Sequence, residues 1–91
     1  MPKIKVKVTV TDAEGCQLVI KIGDQTIDFE KGGTKEVTLD SRRYTAMLAG
    51  FQDPASTDPS IRVEFIQGTS RLTEITIKEP SFIKSLKVVV N

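Results

Sequence analysis

Ninety-one residues, of which 38% are apolar and only 5% aromatic, provide for one small core dominated by aliphatic side chains, so residues 1–91 are expected to form a single domain. Thirteen basic side chains against twelve acidic ones leave a net charge of +1, which removes any general electrostatic pull toward nucleic acid or a membrane surface. With no histidine and one cysteine, Cys16, the chain lacks the commonest general base, an internal disulfide and every Ser-His or Cys-His nucleophile pair.

The first element is predicted over residues 3–10, where Ile4, Val6, Val8 and Val10 alternate with Lys3, Lys5, Lys7 and Thr9. That is a strand with one wet face. Charge at every second residue also denies the N-terminus the apolar run of a signal peptide, and no stretch is long enough to span a bilayer. Asn91 is the only asparagine, so the N-glycosylation signal is absent. With Met1 as the native start the chain is expected in the cytoplasm; as an excised domain it would belong to an extracytoplasmic or surface protein.

Polar turn formers over Thr11–Gly15 interrupt the pattern, which resumes at Gln17–Ile22 and reaches Gly23-Asp24, a two-residue hairpin signal in which Gly supplies positive φ. A two-residue loop sets Ile20 opposite Ile27, Leu18 opposite Phe29 and Lys21 opposite Thr26, so apolar meets apolar and polar meets polar. The next connection, Lys31-Gly32-Gly33-Thr34, fails this test, since Phe29 would face Glu36 and Asp28 would face Val37. Either a glycine bulge corrects the register or residues 35–40 cross to a second sheet, and the crossing is the expected solution.

Residues 43–49 place Tyr44, Ala46 and Leu48 on one side and Thr45, Met47 and Ala49 on the other; with both sides fairly apolar, this is expected to be a central strand with little solvent contact. Phe51–Ser60, with its two Asp-Pro steps, is predicted as the one long loop. Residues 61–66 and 72–77 form a second predicted hairpin around Gly68-Thr69, with Phe65 opposite Leu72 and an extra residue near Thr73 and Glu74 that restores Ile75 to Val63 and Ile77 to Ile61. Pro80 ends that strand. A last one runs from about Ile83 to Val90 with Leu86, Val88 and Val90 inward. The chain therefore reads as all-β, a two-layer sandwich of seven or eight mostly antiparallel strands.

Asp40-Ser-Arg-Arg-Tyr44 is similar to the Asp-x-x-x-Tyr step of immunoglobulin-like folds, where the Tyr hydroxyl ties a corner between sheets. Val8-Thr-Val-Thr-Asp-Ala-Glu-Gly15, Ile20-Lys-Ile-Gly-Asp24 and Val37-Thr-Leu-Asp-Ser-Arg-Arg-Tyr44-Thr-Ala-Met-Leu-Ala-Gly50-Phe51 together resemble PEGA-like and carboxypeptidase-regulatory-like domains, which are small prealbumin-type sandwiches. The resemblance covers residues 6–53. Arg42 and Arg43 stand where that family usually carries Gly before the Tyr. Both likenesses imply an immunoglobulin-like two-layer sandwich serving as a non-catalytic accessory or display module, and neither implies an activity.

No enzyme chemistry is expected. Cys16 has only Lys21 near it in sequence to activate a thiolate and reads as a packing residue. The acids Asp12, Glu14, Asp24, Asp28 and Asp53 match no calcium-loop spacing, and no metal or other cofactor is expected. Binding residues are sought instead in two places. The loop offers Phe51, Gln52, Asp53 and Asp58 to a protein partner, on its own or beside a strand edge that could also pair copies into a homo-oligomer. Such a module would suit an accessory subunit of a particle or surface assembly. The alternative is an anionic ligand or glycan on Lys3, Lys5 and Lys7, which would form a basic ribbon with Lys84 and Lys87 if the first and last strands were neighbours; otherwise these lysines guard a sheet edge. One Tyr and four Phe, largely needed in the core, argue against a nucleic-acid platform, and no membrane insertion is expected.

Overall fold

A computed structural model describes residues 4–11, 16–52 and 60–91. Among these residues there are eight strands: β1 (Ile4–Thr11), β2 (Gln17–Ile22), β3 (Gln25–Phe29), β4 (Gly33–Leu39), β5 (Arg43–Phe51), β6 (Ile61–Gln67), β7 (Ser70–Ile77) and β8 (Ser81–Val89). They pair antiparallel into two four-stranded sheets of order β4-β1-β6-β7 and β3-β2-β5-β8, packed face to face. The predicted all-β two-layer sandwich is the observed architecture. Its first two strands lie in different sheets, whereas those of an immunoglobulin constant-type sandwich share one.

Alternation drives each strand into its layer. Val6, Val8 and Val10 of β1, Leu18, Ile20 and Ile22 of β2, Ile61, Val63 and Phe65 of β6 and Val88 of β8 are buried in one cluster between the sheets. Each such side chain contributes roughly 1.5–3 kcal/mol of burial free energy, which makes a one-residue slip of any strand prohibitive.

The β2–β3 hairpin has the register the sequence demands, Leu18 to Phe29, Ile20 to Ile27 and Lys21 to Thr26, and Gly23 takes φ +61° at its turn. β4 leaves that sheet and pairs with β1, Val37 against Val6, so the register conflict at residues 31–34 is solved by the expected crossing. Where β4 hands over to β5, the Tyr44 hydroxyl accepts a hydrogen bond from the Asp40 amide at 3.0 Å and donates to the Asp40 carbonyl at 3.1 Å. The corner between sheets is thus tied as the Asp40–Tyr44 spacing suggests, and Arg42 lies over the Tyr44 ring at 4.7 Å.

Three expectations change. β5 is central, between β2 and β8, but its second side is wet: Met47 and Thr45 are exposed on the outer face of the sheet. Apolar character on both sides of a strand does not bury both when no third layer covers the outer one. The β6–β7 bulge falls at Leu72, between Ile66–Arg71 and Phe65–Thr73, rather than at Thr73 and Glu74. Val63 still meets Ile75 and Ile61 still meets Ile77, and the earlier bulge lets Leu72 pack against the core edge. Phe51 belongs to the ladder, opposite both Gln17 and Ser81, so the chain leaves the sheet after it; residues 53–59 of the predicted loop lie outside the described residues.

All four sheet edges carry a feature that discourages further strand pairing. β3 is only five residues long. In β4, Lys35 stands on the inward parity with Val37 and Leu39, sits 5.2 Å from the centre of the Phe29 ring and donates to the Asp28 carbonyl, closing the β3–β4 side. β7 has its bulge. In β8, Lys84 shares the inward parity of Phe82, Leu86 and Val88 and reaches Glu79 at 3.0 Å.

Candidate interaction face

Cross-strand register determines what each outer face displays. On the β4-β1-β6-β7 sheet, Lys5 lies opposite Thr38, and Lys7 lies between Glu36 and Ile66. Because β1 is flanked by β4 and β6, and β8 belongs to the other sheet, both the joint basic ribbon and the edge-guarding reading of the lysines are overturned. Lys3 lies outside the described residues. Beside these lysines, Arg62 and Arg71 engage Glu64 and Glu74, with Arg62 to Glu74 at 2.7 Å and Arg71 to Glu74 at 3.2 Å. The hydrogen bond from Arg62 is the chief cause that holds the Glu74 carboxyl below its usual range. This face is polar and mixed in charge.

The β3-β2-β5-β8 sheet is different. Its outer face presents Val19, Ala49 and Ile83 in one row across β2, β5 and β8, with Phe51 and Met47 on either side of Ala49 along β5. Ile83 is 78% exposed, Met47 52%, Phe51 50%, Val89 47% and Val19 42%. Neighbouring strands lie about 4.8 Å apart and alternate residues about 6.6 Å apart, so five of these six apolar side chains form one contiguous patch. A shallow depression between Phe51 and Ile83, floored by Gly50, marks its far end. Isolated exposed apolar residues need no explanation, but a patch does.

The patch has a charged surround. Toward the β4–β5 corner, Thr45 of β5 is opposite Lys87 of β8, Arg43 precedes it on the same face, and Lys21 is opposite Met47 one row away. All three cations are exposed, and none makes an ion pair among the described residues. Toward β3, Asp28 lies opposite Val19 and Glu30 borders the same corner.

Of the described residues expected to bind a protein partner, Phe51 joins this face. Gln52 points the other way: it is 3% exposed, and its side-chain nitrogen donates to the carbonyls of Ile77 at 3.0 Å and Glu79 at 2.9 Å while its backbone amide donates to Pro80 at 2.8 Å. It clamps the end of β5 to the β7–β8 connection. Asp53 and Asp58 lie outside the described residues. The sequence reading gives Met47 and Ala49 little solvent contact and assigns no role to Val19, Ile83 or Val89, although the hairpin register already puts Val19 beside Asp28, and Leu86, Val88 and Val90 inward imply Ile83 and Val89 outward.

Cys16 is buried in the core, and burial pushes its thiol above the usual value, opposite to what a nucleophile needs. Among the described residues, no group of three or more Cys, Asp or Glu side chains gathers as a metal site, and no helix is long and apolar enough to cross a membrane. Comparison with protein-family models, with curated proteins and with solved structures found no match to this chain.

Proposed function

We propose that this chain is a non-catalytic interaction module that binds a protein partner through the outer face of the β3-β2-β5-β8 sheet. One observation carries the reading: an apolar patch on the outer face of the ladder, in which Val19, Met47, Phe51 and Ile83 are exposed around a partly buried Ala49. Phe51, at the end of β5, keeps its expected contribution. Strand addition is disfavoured by Lys35, Lys84, the β7 bulge and the shortness of β3. The resemblance of residues 6–53 to PEGA-like domains accords with an accessory role.

The test is capture of a partner from cells that express the protein. Phe51→Ser with Ile83→Ser should abolish recovery of the partner while leaving the circular dichroism spectrum and melting temperature of the free protein nearly unchanged, because neither side chain belongs to the core. Lys5→Gln with Lys7→Gln should leave recovery intact. Undiminished capture by the first variant would overturn the reading.

A further inference from the structure

Building on the reading of this sheet as the docking face, we infer that its occupant is a protein segment with apolar side chains at one end and carboxylates at the other. The charge on the face is gathered at one end of the strands. Phe51, Ala49, Ile83 and Val19 occupy one end, whereas Arg43, Lys87 and Lys21 surround Thr45 at the other, where Val89 lies opposite Arg43, with Met47 between the two ends. Residues diagonal across an antiparallel pair are about 7–8 Å apart, so Arg43 and Lys87 are close enough to share one acidic side chain.

Those cations lack counter-ions in the described structure, in contrast to the other sheet, where Arg62 and Arg71 are spent on Glu64 and Glu74. Like charges held together without partners raise the local potential, and a complementary segment would relieve it. Two competing occupants fit less well. A second copy docked face to face by a twofold axis at the basic end would bring these cations against their own counterparts. An anionic bilayer would meet Asp28 and Glu30 beside the apolar end, where the carboxylates oppose insertion of Val19 and Phe51.

The experiment is selection of a random peptide library of about twelve residues displayed on phage against the folded protein. Enriched peptides should combine a short apolar run with Asp or Glu on one side of it. Synthetic versions should bind wild type at least about tenfold more tightly than Lys21→Glu with Lys87→Glu, and their affinity should fall several-fold as salt is raised to shrink the screening length. Chemical-shift changes should fall on both ends of the face, at Ile83 and Phe51 as well as Arg43 and Lys87. Peptides that bind the apolar end with no acidic preference, or that ignore the charge reversal, would sink this inference while leaving the docking face itself standing. No enrichment, self-association lost on charge reversal, or cosedimentation with phosphatidylserine vesicles in place of peptide binding would each overturn it.

Discussion

Replacing Gln52 by Met keeps the length and volume of the side chain and deletes its two donors. The lost hydrogen bonds to the Ile77 and Glu79 carbonyls are worth about 1 kcal/mol each, and a carbonyl left without a donor in a site that is nearly sealed from water adds roughly 1–2 kcal/mol. The expected loss is therefore about 2–4 kcal/mol. For a domain of this size that lowers the melting temperature by roughly 10–25 °C, measurable by thermal or urea denaturation with an unchanged m-value. Gln52→Glu sharpens the test, because its carboxylate would face two carbonyl oxygens; it should be worse than Met at neutral pH and recover in part in acid, when the protonated carboxyl can donate. A loss below about 0.5 kcal/mol for Gln52→Met would refute the clamp and return Gln52 to the solvent-facing role read from its place beside the Asp-Pro steps.

Gly50→Ala should be among the most damaging single changes, since a Cβ there would stand 1.9 Å from the Gln17 carbonyl oxygen, a ladder atom with no freedom to retreat; a loss of about 3 kcal/mol or more is expected in urea denaturation, and a silent change would contradict the β2–β5 approach. Tyr44→Phe removes the hydroxyl that both accepts from and donates to Asp40 while sparing the ring, and should cost about 1–2 kcal/mol by the same assay. Glu74 has a folded pKa below its unfolded one, so the stability it contributes is present above the usual value of 4.5 and is lost as pH falls through the lowered folded value. Glu74→Gln should accordingly flatten the acid limb of a melting-temperature profile, and coincident limbs would show the carboxylate to be idle.

What could be read from the chain without coordinates was whatever local turn chemistry and period two determine jointly. The β2–β3 hairpin was legible because Gly23-Asp24 fixes the pairing and the apolar positions verify it. The crossing of β4 is legible as one of two ways out of a contradiction: a two-residue loop would set Phe29 against Glu36, which leaves a bulge or a change of sheet. The bulge was half legible, since pairing Ile75 with Val63 requires an extra residue but does not specify where, and its site at Leu72 depends on packing at the core edge. The exposed apolar face is hidden in the sequence because Met47 and Ala49 alternate with core residues in a strand apolar on both sides, and Ile83 becomes their neighbour only when β8 is known to flank β5. The buried place of Gln52 is equally invisible in the sequence, since its partners are carbonyls 25 and 27 residues away.

The alternation of β5 assigns Tyr44, Ala46 and Leu48 to cohesion and Met47, Ala49 and Phe51 to whatever lies outside. Substitutions in the second set can therefore remake the exposed face while the first set goes on holding the two sheets together. A scaffold with such independent registers can change its surface faster than its shape.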